Sequence, residues 1–308
     1  MNMTEHNELR GVLMRNEPMM KHTSWRVGGE AEIFYKPEDI DDLCLFLNQQ
    51  DNKGDITFVG LGSNLLVRDK GINGIVVCAS GVLNNLKALA ANQYYVEIGV
   101  PAPKLAKHSA KASLTGAEFL CGIPGTIGGA LAMNAGAMGD EIWRIVKDVT
   151  TIDTYGVTRV RSADEFDIAY RSVKAKPDAG FTLGKTEWFI AATIQLTSGD
   201  RTVSEKTIKS HLARRAATQP TQQPNAGSVF RNPEGDFAAR LIESAGLKGY
   251  CIGGACVSDK HANFIINTGT ATANDVEMLI QFIHRTVLSE FDINMVQEVR
   301  IIGELNDQ

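Results

Sequence analysis

Gly122-Ile123-Pro124-Gly125-Thr126-Ile127-Gly128-Gly129-Ala130, continuing to Asn134-Ala135-Gly136-Ala137-Met138-Gly139, decides how the rest of the chain is read. Six glycines fall within these 18 residues, among small apolar side chains and few charges. A segment with so little side-chain volume lets a flat or polyanionic group lie directly on the backbone. The plainer alternative is a Gly/Ala helix start packed tightly in a core. A second loop, Gly60-Leu61-Gly62-Ser63-Asn64-Leu65-Leu66, follows an apolar strand. Its backbone N–H groups suit a phosphate, and Ser63 and Asn64 add donors. Leu65 stands where a dinucleotide fingerprint has its third glycine, and no Gly-Lys-Ser/Thr follows, so the loop matches neither standard phosphate motif. Its plainer alternative is a tight turn between strands. Two such loops in one chain point to a large cofactor with both a pyrophosphate and an apolar ring.

The 308 residues carry 31 Lys and Arg against 36 Asp and Glu, a net charge of −5, with 44% hydrophobic and 22% charged residues. This is globular composition, and the length suits two domains. The mild acidity argues against a nucleic-acid partner. No apolar run reaches the roughly 18 residues of a membrane span, and the polar N-terminus lacks the apolar core of a signal peptide. Cys44, Cys78, Cys121, Cys251 and Cys256 are odd in number and form no CxxC. That pattern predicts no disulfide framework, no zinc ribbon and a reducing cytoplasmic setting. Neither HExxH nor HxH occurs, and Cys251 and Cys256 are spaced as CxxxxC, so no metal site is expected.

Periodicity predicts helices over residues 37–47, 101–114, 202–217 and 236–245. The clearest helix is the last. Thr272 or Asn274 caps it, and Val276, Leu279, Ile280, Ile283 and Val287 form one apolar stripe. Strands are predicted over 31–35, 56–60, 74–78, 94–98, 188–196, 263–267 and 296–302, with a hairpin joining 146–154 to 157–160. Composition shifts near Ser198-Gly199-Asp200. Three further groups carry chemistry. Tyr170-Arg171-Ser172 presents an isolated cation, or a surface arginine. Asn225-Ala226-Gly227-Ser228-Val229-Phe230-Arg231-Asn232-Pro233 sets a serine beside Asn and Arg, or is an ordinary loop. In the terminal strand, alternation places Val296, Glu298 and Arg300 on one face, where Glu298 and Arg300 are a functional or a solvated edge pair.

Together these segments resemble the UDP-N-acetylenolpyruvoylglucosamine reductase family. The resemblance runs in order from Lys21-His22-Thr23-Ser24-Trp25-Arg26-Val27-Gly28-Gly29 through the two glycine loops, Tyr170-Arg171-Ser172 and Asn225–Pro233. It continues through Ala238–Asn267, including His261-Ala262-Asn263-Phe264, to Glu298-Val299-Arg300. It implies an α+β protein with an FAD-binding fold of the PCMH/vanillyl-alcohol-oxidase type. That domain would span 20–198, in sublobes of about 20–80 and 81–198, with a C-terminal α+β substrate-binding domain over 199–308. FAD is expected to bind noncovalently at Gly60, Leu61, Gly62, Ser63, Asn64, Leu65, Gly122, Pro124, Gly125, Thr126, Gly128, Gly129, Asn134, Gly136 and Arg300. Tyr170, Asn225, Arg231 and Asn232 are expected at the UDP-sugar substrate. Arg171, Ser228 and Glu298 are the expected catalytic residues. No nucleic acid, membrane or obligatory protein partner is implied, and the location is cytoplasmic. Two features depart from the family pattern. Met138 stands where tyrosine is frequent, and the stretch between Arg171 and Trp188 is too short for the substrate-covering loop of one subgroup.

The implied reaction passes hydride from NADPH through FAD to the methylene carbon of an enolpyruvyl ether. Negative charge then develops on the neighbouring carboxylate, and fixed donors aimed at it do most of the electrostatic work. The permanent fork of Arg171 matches a carboxylate. Glu298 helps only as the neutral acid, because a second negative charge opposes the reaction. Ser228 is the natural donor of the final proton. Two other readings remain. One is a flavin oxidase of the same superfamily, which often tethers its flavin through His or Cys. None of His6, His22, His108, His211, His261 and His284 lies in the Gly122 segment, but Cys121 adjoins it. The other is a nucleotide-sugar sensor, which would not need the Arg171, Ser228 and Glu298 set.

Overall fold

The computed structural model describes residues 8–50, 55–90 and 92–305. The segment read as lacking a signal peptide lies partly, and His6 wholly, outside the described residues. The chain forms two compact units: Met1–Arg15, Ile33–Gly60 and Gly74–His211 make the first, and Asn16–Glu32, Leu61–Asn73 and Leu212–Gln308 the second. The units interleave in sequence, whereas the expected functional division is a single cut near residue 199. Strands Val12–Pro18, Glu30–Lys36 and Ile72–Cys78 each carry the chain from one unit into the other.

The first unit is built on an antiparallel sheet in the order Leu86–Ala88, Gln93–Glu97, Glu187–Gln195, Val146–Asp153, Thr158–Ser162. Its central strand, Glu-Trp-Phe-Ile-Ala-Ala-Thr-Ile-Gln, is buried at nearly every position, which accounts for its continuous apolar run. Helices α1 (Ile40–Gln49), α2 (Ala102–Lys111) and the short α3 (Ile127–Ala132) contribute Phe46, Leu105 and Leu131 to the same core as Trp188 and Ile190. A parallel pair runs from Ile56 opposite Ile75 to Val59 opposite Cys78. A hairpin joins Phe166–Ala169 to Ser172–Ala175, with Tyr170 and Arg171 at its turn.

In the second unit, α4 (Arg201–Thr218) enters from the first, followed by α5 (Ala238–Ser244) and α6 (Ala273–Phe291). A small antiparallel sheet holds Cys251–Ile252, Ala255–Val257 and Ile265–Asn267. Leu65–Val67 pairs in parallel with Arg300–Ile302. The predicted stripe of α6 is buried, and Thr272 and Asp275 cap the helix reciprocally. Trp25, Leu66, Phe230, Leu241, Val276 and Leu279 share this core. Antiparallel sheets with helices packed beside them make both units α+β, as expected. No helix among the described residues is long and apolar enough to cross a membrane.

Two expectations are corrected. Cys251 and Cys256 form a disulfide. They stand opposite each other across the two-residue turn Gly253-Gly254, with Cα atoms 4.1 Å apart. Spacing alone did not reveal this, because the pairing depends on hairpin register. Cys44, Cys78 and Cys121 are free thiols. The terminal strand is also shorter than predicted: only Arg300–Ile302 is regular, and Gln297 makes an isolated bridge with Phe230.

Asp42 is the buried polar anchor of the first unit, 1% exposed. Its carboxylate accepts from the Arg10 N–H at 2.7 Å, the Glu38 N–H at 2.9 Å and the Tyr35 hydroxyl at 2.5 Å. Burial and this neighbouring charge push the Tyr35 phenol well above its ordinary range. Replacing Asp42 with alanine strands three donors, and each buried unmet donor costs about 1–3 kcal/mol. Asp42→Ala is therefore expected to lower stability in urea by about 3 kcal/mol or more. An unchanged unfolding midpoint would remove Asp42 from this role.

Candidate active site

In the first unit, the start of the second glycine segment is fixed by the fold itself. Gly125 O accepts from the Ala102 N–H, while the N–H groups of Ile127 and Gly128 donate to Val100 O and Ile98 O, each at 2.9 Å. Those two donors are therefore spent on protein. Gly60 lies against Thr126, where an added Cβ would fall 2.5 Å from Thr126 Oγ1. Gly122 and Gly128 likewise face protein: their added Cβ atoms would meet the Ala137 methyl at 3.6 Å and Ile98 Cβ at 2.7 Å. Pro124 is exposed. Gly129 differs, being exposed with nothing within 4 Å of the Cβ position. It leaves open backbone at the first turn of α3.

Asn134 is fully buried and ties three elements together. Its Nδ2 donates to Glu141 Oε2 at 2.9 Å and Ala169 O at 3.2 Å, and its Oδ1 accepts from the Trp143 N–H at 3.3 Å. The Ala169 bond fastens this segment to the hairpin that carries Arg171. Arg171 adopts a left-handed backbone (φ 54°) and donates from Nη2 to Gly136 O at 2.8 Å. A Cβ at Gly136 would sit 2.4 Å from Asp140 O and 3.2 Å from Arg171 Nη1, so glycine is needed for this docking. The exposed Tyr170 ring lies 5.1 Å from the guanidinium carbon. Met138 is exposed, also with a left-handed backbone.

In the second unit, the loop after Gly60 turns at Gly62 (φ 60°). Its Gly62 carbonyl accepts from both the N–H and the hydroxyl of Ser24 at 3.1 Å, and its Asn64 carbonyl accepts from the Arg300 N–H at 3.1 Å. Asn64 Nδ2 donates to Glu298 O at 3.1 Å. The carbonyls are thus anchored, whereas the N–H groups of Gly62 and Ser63 donate to no partner among the described residues. Anchored carbonyls with outward N–H groups form an anion cradle. Leu61 beside it is exposed, and Leu65 begins the strand paired with Arg300.

Ser228 and Glu298 come together on adjacent backbone. The Phe230–Gln297 bridge puts Val229 O 2.8 Å from the Glu298 N–H. Arg231 follows, its own N–H donating to Val296 O at 2.8 Å. Arg231 Nε is buried without a partner among the described residues. Burial of its guanidinium and the nearby Arg231 charge push Arg300 below the ordinary arginine range, although part of the residue faces solvent. Two adjacent guanidiniums, one with an unmet donor, suit an anionic ligand. Asn225 and Asn232 shape the loop. Asn225 Oδ1 accepts from the Gly227 N–H at 2.9 Å, and Asn232 Oδ1 accepts from the Ala238 N–H at 3.1 Å at the start of α5. Burial holds the His261 imidazole below the usual histidine range. Arg171 belongs to the first unit, and Ser228 and Glu298 to the second.

Asn263 received no role from sequence. It is 3% exposed and makes three bonds to residues 229 and 230. Its only sequence signal is an amide placed between Ala262 and the apolar run Phe264-Ile265-Ile266.

Each unit by itself offers a feature that fits part of FAD: open glycine backbone at Gly129 in the first, and an anion cradle at Gly62 and Ser63 in the second. Residues 31–161 match the family model of an FAD binding domain, so the class defined here is that of FAD-binding proteins. Residues 219–302 match that of the UDP-N-acetylenolpyruvoylglucosamine reductase, C-terminal domain. The UDP-N-acetylenolpyruvoylglucosamine reductase of Legionella pneumophila (strain Corby) is 50% identical over 302 residues, covering 98% of this chain and 96% of the relative. The enzyme of that name from Methylococcus capsulatus is 50% identical over 295 residues, covering 96% and 94%. The crystal structure of the corresponding reductase from Thermus caldophilus superposes with a TM-score of 0.76 at 28% identity, covering 96% of this chain and 99% of that one. The chain belongs to the UDP-N-acetylenolpyruvoylglucosamine reductase family.

Gly129 gives a cleaner test of cofactor contact than Gly62. A side chain at Gly62 would strike the protein's own His22 carbonyl, with Cβ at 2.0 Å, whatever was bound. A side chain at Gly129 meets no protein. Gly129→Val is expected to fold, with wild-type far-ultraviolet circular dichroism, and to purify without flavin absorbance at 450 nm. A full complement of FAD in this variant would exclude Gly129 from the cofactor site.

Proposed function

We propose that this chain reduces the enolpyruvyl group of UDP-N-acetylglucosamine enolpyruvate to give UDP-N-acetylmuramate, using NADPH and noncovalent FAD, in peptidoglycan precursor synthesis. The observation that carries the site assignment is the pairing of the Ser228 and Glu298 segments beside the Arg231 and Arg300 guanidiniums. When bound, FAD supplies the hydride it has received from NADPH. The Gly60–Leu65 loop takes the pyrophosphate on its outward N–H groups, and the Gly122–Gly136 segment takes the ring system at Gly129. Residues 20–198 serve as the FAD-binding domain and 199–308 as the substrate-binding domain.

Charge arriving on the substrate carboxylate is met by Arg171, whose guanidinium is oriented by Gly136 O at 2.8 Å and Asn134 O at 3.5 Å. Glu298, as the neutral acid, donates a hydrogen bond to the same carboxylate. Ser228 Oγ delivers the proton to the carbon next to the reduced one. Tyr170, Arg231, Asn225 and Asn232 line the substrate, with the two asparagines acting mainly through the loop they hold. The oxidase alternative loses ground at Cys121: this thiol is 1% exposed and points at Ile208 O inside the first core, a poor position for a flavin tether. The reaction's nucleotide sugar and NADPH place it in the cytoplasm, a reading that no longer draws on the cysteine pattern.

The test separates the half-reactions by stopped-flow absorbance. Arg171→Ala is expected to leave flavin reduction by NADPH within a few fold of wild type. Reoxidation by the enolpyruvyl sugar nucleotide should slow by about 10²–10³, the usual cost of one such electrostatic donor. An unchanged reoxidation rate would remove Arg171 from the mechanism. Failure of the reduced enzyme to reoxidise with this substrate, wild type included, would overturn the proposed reaction.

A further inference from the structure

We infer that Asn263 is a positioning residue that fixes Ser228 and Glu298 in register for proton delivery, an inference that rests on the roles given to those two residues above. The side chain is buried, and its amide takes the place of a neighbouring strand. Asn263 O accepts from the Val229 N–H at 2.9 Å, which immobilises the peptide that follows Ser228. Asn263 Oδ1 accepts from the Phe230 N–H at 2.9 Å, and Nδ2 donates to Phe230 O at 2.8 Å. The Val229–Phe230 peptide is therefore held from two sides. Its N–H goes to Asn263, and its C=O receives the Glu298 N–H at 2.8 Å. Two consecutive peptides, 228–229 and 229–230, thereby join the Ser228 segment, the clamp and the Glu298 backbone.

The chemistry needs such a clamp. Gln297 makes an isolated bridge with Phe230, and among the described residues no regular strand covers 228–230 or 296–299. A misplacement of 1 Å at a reacting group can cost about 10²-fold in rate. An amide suits the task because it offers one donor and one acceptor at every pH. A carboxylate of the same shape offers acceptors only and would face the Phe230 carbonyl with a second oxygen. A carboxyl in that position titrates above its ordinary value, since burial and the facing carbonyl both favour the neutral acid. It keeps the clamp below that raised pKa and loses it as pH rises through it.

The experiment compares Asn263→Asp, Asn263→Ala, Ser228→Ala and the double variant Ser228→Ala/Asn263→Ala, all as holoenzyme. Asn263→Asp is expected to reoxidise with substrate near the wild-type rate at pH 5 and about 10²-fold slower at pH 8. Its flavin reduction by NADPH should match wild type at both pH values, which a merely structural lesion would not allow. The double variant should lose less than the product of the two single losses, because both changes remove the same proton delivery and only the part of the clamp that acts through Glu298 adds. Amide hydrogen exchange in the resting protein should speed up across residues 228–231 in Asn263→Ala. The Asp variant keeps the test open if Asn263→Ala does not fold. Reoxidation by Asn263→Asp at the wild-type rate at both pH values, with Ser228→Ala slowed, overturns the clamp and leaves the reading of Ser228 standing. Equal loss of both half-reactions, or additive losses in the double variant, also overturns it. Wild-type reoxidation by Ser228→Ala instead overturns the reading on which the inference rests.

Discussion

Backbone laid directly on backbone is the constraint on which the second unit depends. Residues 16–32 and 61–73 are excursions from the first unit, yet they lie in one compact body with residues 212–308. They pack through glycine. A Cβ at Gly62 would sit 2.0 Å from His22 O, and one at Gly71 would sit 2.0 Å from Glu30 O. Both glycines have positive φ, a conformation that costs other residues roughly 1–2 kcal/mol. With the backbones this close, Trp25 and Leu66 reach the core shared by Phe230 and Leu241, and the Trp25 indole donates to Ile265 O at 2.7 Å. The loop that turns at Gly62 is therefore rigid before any ligand arrives, with its carbonyls already committed.

That rigidity bears on the chemistry. Donors aimed at an anion act best when no reorganisation is needed as charge appears. Neutral backbone carbonyls and amides take part in this fixing. Gly136 O orients Arg171, Asn64 holds Glu298 through its carbonyl, and Asn263 holds the segment after Ser228. The Arg171 guanidinium donates to the carbonyls of Asn134 and Gly136.

Several assignments that look alike in sequence separate in three dimensions. Among the glycines proposed for the cofactor, Gly60, Gly128 and Gly136 are required by protein neighbours, while Gly129 alone of these four faces open space. Asn232 and Asn263 are both asparagines near Ser228. The first caps the start of α5 and is exposed, and the second is buried and grips residues 229 and 230. Cys251 and Cys256 read as a CxxxxC spacing with no expected disulfide or metal role, and form a disulfide because a two-residue turn sets them face to face.

The sequence alone determined the α+β class, the α6 stripe with a cap at Thr272 or Asn274, the hairpin around Tyr155-Gly156 and the family, because each is written in local periodicity, turn chemistry or residue order. It also singled out Arg171, Ser228 and Glu298 through short motifs. The tertiary structure decided the interleaved units, the disulfide, the truncated terminal strand and the place of Asn263. These depend on pairing between residues far apart in the chain, as between 263 and 230 or 62 and 22, and no local pattern encodes which distant backbone will supply the partner.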